Sequence, residues 1–374
     1  MNIFVIPAWH PTPEKPHLAR WVMPHIEVSR RIGTVTVLHV EQSHGENEQV
    51  SVSQEHDYYY AKVNIEAKNI FRRTIIGYGK SLVEYTKALK LLYEKAVAHN
   101  GKPDIIHAHV SAPAGFSAAR IGRDYGVPVI VTEHYSGFFS DNRFFWRLPY
   151  FSHQMRRSIK GLYAVSPGFK ASIENKCNIE VNGVLPNPID TSLFKPKVTE
   201  NKSSVLKIVS TGTVGSIKGT DILLKAISRL PKGLKYKLKI IGNYDFKDKE
   251  INELLRNPHV ELLGHKMQSE LASIYSNSDL FIVSSRIETA NVSMLEAMSC
   301  GCYVIAPKIN APETLLSETV SSIYEAKNID DLVKNIETLP SFSREKQRQF
   351  VIENYGLQSV TRQLKRAYKR ALIL

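Results

Sequence analysis

The sequence predicts two doubly wound α/β domains, and three observations lead there. Short apolar runs alternate with longer helical patterns along the chain, and the alternation runs through twice. A stretch rich in Pro, Asn, Ser and Lys, "VLPNPIDTSLFKPKVTENKSS" at residues 184–204, separates the two series and reads as a linker. Parallel strands need crossover helices between them, so this alternation points to parallel sheets covered by helices. At 374 residues the chain also exceeds what one ordinary hydrophobic core organises.

The elements come in order. The first strand is "NIFVI"; no basic flank precedes it and Pro7 and Pro11 interrupt the residues after it, so it reads as a buried strand and not as a signal peptide. "TVTVLHV", "DIIHAH" and "PVIVTEH" complete the first series, and "LKIVSTG", "YKLKIIG", "DLFIVSS" and "CYVIA" make the second. The expected domains are residues 1–195 and 204–354, with a final helix over 355–374 packing back onto the first. Ligands of such sheets bind beyond the carboxyl ends of the strands, where loops and helix N-termini converge. The candidates are therefore the residues just after each run: His107 and His109, His134, the loop "TVGSIKG", and Glu288, all expected to face one cleft.

Composition narrows the partners without choosing one. A net charge of +13 favours nucleic acid, an anionic membrane surface or a phosphate-bearing ligand. Cys177, Cys300 and Cys302 are too few for a disulfide framework or a closed zinc site, so reduced thiols and a cytoplasmic location are expected. No apolar run approaches the roughly 20 residues of a membrane-spanning helix.

The chemistry is concentrated in "VSSRIETANVSMLEAMSCGCYVIAP", residues 283–307. Asn291 suits the N-cap of a helix and Gly301 the residue after its end. Glu296 then sits about 7 Å into the helix, at about 1.5 Å per residue, while Glu288 lies on the loop before it. A helix N-terminus carries unpaired N–H groups and partial positive charge, a site for phosphate or hydroxyls, and carboxylates accept well from vicinal diols. Two acids bracketing such an end suit a diphosphate flanked by two sugars, although a solvated helix residue and a loop charge would look the same. The Gly-bearing loop "GTVGSIKG", with Lys218 at its mouth, adds a phosphate-holding element before the helix "TDILLKAISRL".

These stretches together resemble the retaining glycosyltransferases of family four. A Glu, seven intervening residues and a second Glu, followed by Ala-Met-x-x-Gly and an apolar strand, look like that family's C-terminal signature; "GTVGSIKGTDILLKAI", "LKIIGN", "VELLGH" and "VLPNPIDTSLFKP" match its other blocks in order. The resemblance is specific over about residues 160–310 and looser before that, where "DIIHAH" and "VTEH" are the recognisable pieces. It implies the GT-B architecture, two Rossmann-like domains facing across a cleft, with a nucleoside-diphosphate-sugar held mainly by the second. Carried over by position, Glu296 would bind the ribose and Glu288 the donor sugar. Gly215 and the amides of Ala290, Asn291, Val292 and Ser293 would face sugar or phosphate, and Lys218 the diphosphate. His134 would lie near the transferring carbon; apart from the resemblance, His109 at its strand end and Trp146 in the aromatic and basic segment after His134 are candidates for the acceptor side. UDP is expected over GDP, transfer with retention of configuration, and no metal or other cofactor, in keeping with the absence of an Asp-x-Asp motif. Three positions depart from the family. Thr213 stands where many relatives carry Arg, Asn291 where they carry Gly, and "PAWHPTPEKPHLARW" has no glycine.

The expected acceptor is a glycan or a lipid-linked molecule, as in surface polysaccharide or glycolipid synthesis. An anionic membrane is a further expected partner, on three basic and apolar segments: residues 69–95, residues 142–160 and the final "LQSVTRQLKRAYKRALIL". In the last, Arg362, Lys365, Arg366, Lys369 and Arg370 fall on one helical face, with Leu357, Val360, Leu364, Tyr368 and Leu372 near the opposite one. That tail reads equally as a helix packing its apolar side on the protein. The competing functions are a nucleotide-sugar epimerase or phosphorylase on the same fold, and a non-catalytic nucleic-acid-binding protein, for which no recognition motif is present.

Overall fold

The computed structural model describes residues 1–12, 18–43, 50–55, 58–64, 75–139, 149–197, 204–212, 216–243, 248–309 and 311–373. They form two compact units. Unit 1 comprises Met1–Val165, Lys170–Pro186 and Val360–Leu374; unit 2 comprises Ser166–Phe169 and Asn187–Ser359.

The strands of unit 1 are β1 (Asn2–Pro7), β2 (Thr34–Ser43), β3 (Val50–Glu55), β4 (Tyr58–Asn64), β5 (Ile105–His109), β6 (Val129–Glu133), β7 (Gly161–Ala164) and β8 (Gly183–Val184). They lie in the order β3-β4-β2-β1-β5-β6-β7-β8. Every neighbouring pair is parallel except β3 and β4. β5 and β6 are buried along their whole length, as expected of a parallel sheet covered on both faces. The winding reverses between β1 and β5, so their carboxyl ends, at Pro7 and His109, flank a crevice of the kind that takes ligands.

Unit 2 repeats the plan with β9 (Leu206–Thr211), β10 (Tyr236–Ile241), β11 (Val260–Leu262), β12 (Leu280–Ile282), β13 (Tyr303–Pro307) and β14 (Ser321–Tyr324). Their order is β11-β10-β9-β12-β13-β14, all parallel, with the switch between β9 and β12. Leu223 and Ile227 from the helix Thr220–Ser228 pack with Leu238, Ile240, Leu280, Ile282 and Ile305 in its core. Glu288 and Lys218 follow the two strands at that switch, which is where the fold itself directs a ligand.

All eight apolar runs form strands, and the architecture is the two Rossmann-like α/β units that the alternation predicts. Six strands were not read from the sequence. β7, β8, β11 and β14 are two to four residues long, too short to show a period. β3 and β4 pair antiparallel, which needs no crossover helix and so leaves no mark in the alternation. Part of the linker stretch is packed: Phe194 is buried, its carbonyl accepts from Ser299 Oγ at 2.6 Å and Arg348 Nη1 at 3.0 Å, and Arg348 Nη2 reaches Thr191 O at 3.0 Å.

The last helix, Leu357–Ile373, resolves the two readings of the tail. Val360, Leu364, Ala367, Tyr368 and Ala371 are buried in unit 1, and Tyr368 Oη lies 3.0 Å from His107 Nδ1 and 3.1 Å from Ser29 Oγ. Most of the apolar stripe is thus occupied by protein, which corrects the picture of a helix laying that face into lipid. Arg362, Lys365, Arg366, Lys369 and Arg370 remain exposed, with Leu372 and Ile373 at the end. Among the described residues no helix is long and apolar enough to cross a membrane.

Candidate functional site

At the switch of unit 2, Gly219 enters the helix Thr220–Ser228 with φ +61°, and a Cβ there would stand 1.9 Å from Ser284 O. Glycine therefore allows the β9 loop to press against the loop after β12. Ser284 Oγ donates to Lys218 O at 2.9 Å, and Arg286 N donates to Ile217 O at 2.7 Å. Arg286 also clamps Asp221 through two bonds of 2.8 and 2.6 Å, holding that carboxyl below its ordinary range.

This clamp sets the proposed donor residues. Glu288 is buried, and its Oε1 accepts from Lys218 Nζ at 2.6 Å, Ser285 Oγ at 2.7 Å and Asn291 Nδ2 at 3.2 Å. Asn291 takes φ +49° and ψ +73°, and its Oδ1 accepts from Met294 N at 3.0 Å, capping the helix Val292–Ser299. Asn is, after Gly, the residue that tolerates left-handed backbone best, so Asn291 can stand where the resemblance leads one to expect Gly. Val292 and Ser293 are half-buried at the first turn, and Ala290 is buried just before it. Glu296, one turn further, is 9% exposed. Burial and the charge of Glu296 push the neighbouring Cys300 thiol up to about 12, so it stays protonated. Gly301, with φ +90°, follows the helix end as its sequence position predicts. The three cysteines are free thiols.

Unit 1 gathers a second group. His109 ends β5, and Val110 after it takes φ +76°, a strained value for a β-branched residue, with its N–H donating to Thr132 O at 2.8 Å. His134 follows β6, and its Nε2 lies 3.0 Å from His109 Nδ1. Trp21 stacks on His134 with ring centroids 3.9 Å apart. His25 faces both histidines, at 4.8 Å from the His109 ring and 5.1 Å from the His134 ring. Burial first, then the neighbouring His107, His25 and His134, holds His109 well below the usual imidazole range. Buried Glu133 accepts from the backbone N–H groups of Ser111, His134 and Tyr135 at 2.9–3.0 Å, which fixes the turn that carries His134.

The structure thus brings together Lys218, Glu288, Ala290, Asn291, Val292, Ser293 and Glu296 in unit 2, and His109 with His134 in unit 1. Lys218 and Glu288, read as contacting different parts of a ligand, contact each other. His107 is structural: its Nδ1 lies 3.0 Å from Tyr368 Oη and its Nε2 lies 2.8 Å from Thr132 Oγ1. Gly215, Thr213 and Trp146 lie outside the described residues. Sequence reading missed Ser285, the Arg286–Asp221 clamp, Trp21 and His25. For the last pair a signal existed, since positions four apart share a helix face; nothing local marked the others.

Comparison with known proteins identifies the family and the fold. Residues 193–356 match the model for "Glycosyl transferases group 1" and residues 29–193 that for "Glycosyltransferase Family 4". The chain is 27% identical over 199 residues to a phosphatidylinositol N-acetylglucosaminyltransferase subunit of Arabidopsis thaliana, covering 50% of this chain but only 44% of that protein. It is 26% identical over 265 residues to an uncharacterised glycosyltransferase of Methanocaldococcus jannaschii, covering 67% and 69% of the two. Among solved structures, sucrose-phosphate synthase from Thermosynechococcus elongatus superposes with a TM-score of 0.74 at 17% identity, over 100% of this chain and 99% of that one. Anabaena HepE in complex with UDP and glucose superposes with a TM-score of 0.70 at 14% identity, over 99% of each chain.

Proposed function

Because the chain belongs to the family-four glycosyltransferases and has their GT-B fold, we propose that it transfers a sugar, with retention of configuration, from a nucleoside-diphosphate-sugar to a glycan or lipid-linked acceptor. The observation that carries this reading is the convergence of Lys218, Glu288, Asn291 and the helix start Val292–Ser293 at the β9/β12 switch.

In this reading the amides at Ala290, Asn291, Val292 and Ser293 receive the phosphate or sugar oxygens, Glu296 the ribose hydroxyls and Glu288 the sugar hydroxyls. The Lys218 ammonium, 2.6 Å from Glu288 Oε1, is shared with the diphosphate and stabilises it as charge grows on the leaving group. No carboxylate is assigned as a covalent nucleophile. The leaving phosphate oxygen takes the acceptor's proton on the same face, and the protein positions and screens. His134, tied to His109, is the residue of unit 1 assigned to the transfer step. UDP is the favoured nucleotide; the solved relative HepE holds UDP and glucose, which agrees with that choice.

The acceptor is proposed to lie at an anionic membrane, with the protein acting from the cytoplasmic face. The exposed cations of the last helix support this, as does a concavity of about 1030 Å³ in unit 1 whose wall includes Arg157, Lys160, Ile159 and Leu372. A panel of UDP- and GDP-sugars, scored by nucleotide release and then by product with candidate acceptors, tests the proposal. Absence of nucleoside-diphosphate binding and of release with every donor would refute it.

A further inference from the structure

The histidines of unit 1 form more than a pair. His25, His109 and His134 are all buried, and one ring nitrogen of each lies within 4.8 Å of the other two. His109 is completely enclosed, yet its Nε2 has no hydrogen-bond partner among the described residues. That atom is not the one facing His134, whose contact is with His109 Nδ1; the unprotonated nitrogen of an imidazole offers the lone pair that a borderline-soft cation takes. His109 and His134 already present two nitrogens 3.0 Å apart, a spacing that one ion with bonds of about 2.0–2.1 Å can bridge. His25 then has to close by no more than about 1.5 Å to complete three ligands of a tetrahedral site. Among the described residues no carboxylate belongs to the cluster, which disfavours magnesium and calcium and favours zinc-class ions.

We propose that His25, His109 and His134 bind one zinc-class divalent ion, and that this ion inhibits sugar transfer by occupying His134. Inhibition, and not catalysis, follows from the packing. Trp21 covers one face of His134, and coordination takes its ring nitrogen out of any other use. The inhibitory half rests on the role given above to His134; the binding half does not.

The test begins with the metal-stripped full chain, titrated with Zn2+ by calorimetry and with Co2+ by visible absorption. One ion per chain is expected, with a Co2+ spectrum of tetrahedral type. His25→Gln should bind at least about tenfold more weakly, a typical loss when a metal site is disturbed, while melting and nucleotide binding stay unchanged. Absence of a saturable one-ion site, or unchanged affinity in His25→Gln, overturns the proposal. If that variant does not fold, imidazole nitrogen NMR of the unaltered protein replaces it: Zn2+ must shift His25, His109 and His134 and leave His259 in place, and any other pattern overturns the site. Zn2+ should then suppress transfer in the unaltered enzyme and not in His25→Gln; one-ion binding without suppression overturns the inhibitory role. Should no donor be turned over by any preparation, the transferase reading fails, while the titrations still decide the metal site.

Discussion

Glu288 Oε1 collects three donors, so removing the acid and removing one donor are different experiments. Lys218→Ala leaves Ser285 and Asn291 on a buried carboxylate; turnover should fall more than nucleotide affinity, because in the proposed reaction the ammonium acts on leaving-group charge. Steady-state kinetics would contradict this if kcat held while KM alone rose. Glu296→Ala should weaken nucleoside-diphosphate binding by about 1 to 3 kcal/mol, the range for losing charge-assisted bonds to a bound ligand. Calorimetry with UDP measures it, and unchanged affinity would remove Glu296 from the ribose. Buried histidines contribute to acid sensitivity, and His39 is one of them beside His107 and His109. Burial, then His10, lowers His39 from 6.5 to about 3, so between those values the unfolded chain binds a proton that the native one does not. This contribution is fully present above about pH 6.5 and is lost as pH falls toward 3, at up to about 1.4 kcal/mol per pH unit. Urea midpoints at pH 7.5 and 5 should diverge less for His39→Gln than for the unaltered protein.

At the scale of elements, the helix Val292–Ser299 depends on one side chain doing two things. Asn291 supplies the cap to Met294 N and accepts left-handed backbone without a glycine. Asn291→Ala loses both and should cost about 1 to 3 kcal/mol. Asn291→Gly restores the backbone freedom and should cost only a few tenths. A chemical-denaturation series in which Ala and Gly lost the same stability would show that the cap, absent from both, dominates over the left-handed backbone. Gly219 is the other hinge of the switch: a Cβ would collide with Ser284 O at 1.9 Å, so Gly219→Ala must push the β9 loop off the β12 loop. Loss of donor binding together with lowered stability is the expected result, measured on the same preparation.

At the scale of the molecule, the chain's last helix belongs to unit 1 through Tyr368, which is completely buried between Ser29 and His107. Tyr368→Phe keeps the ring and strands His107 Nδ1, while Ser29 Oγ keeps its bond to His25 O, at a cost of about 1 to 3 kcal/mol. Its melting curve would speak against this account if it matched the unaltered protein. The same helix tests the membrane proposal without unfolding anything, since its cations are exposed. Replacing Lys365, Arg366 and Lys369 by Gln should weaken binding to anionic vesicles by about 3 kcal/mol, near 1 kcal/mol per cation, and leave neutral vesicles unaffected. Equal and negligible binding of the unaltered protein to both vesicle types would point to an acceptor away from membranes.

The sequence by itself determined the α/β alternation, the duplicated plan, the helix from Val292 with Asn291 before it and Gly301 after, and the Glu288–Glu296 spacing. The caps and the Glu spacing are set within a dozen residues, where cap chemistry and glycine freedom act directly, and the alternation and its duplication are successions of apolar runs each as local. Tertiary structure decided what lies far apart in the chain: Lys218 on Glu288 across 70 residues, His107 against Tyr368 across 261, and His25 joining His109 and His134. It also decided that the tail's apolar stripe packs on protein, a choice its amphipathic pattern left open because lipid and a protein core ask the same periodicity of a helix. Local pattern states which face is apolar; only the packed chain supplies what covers it.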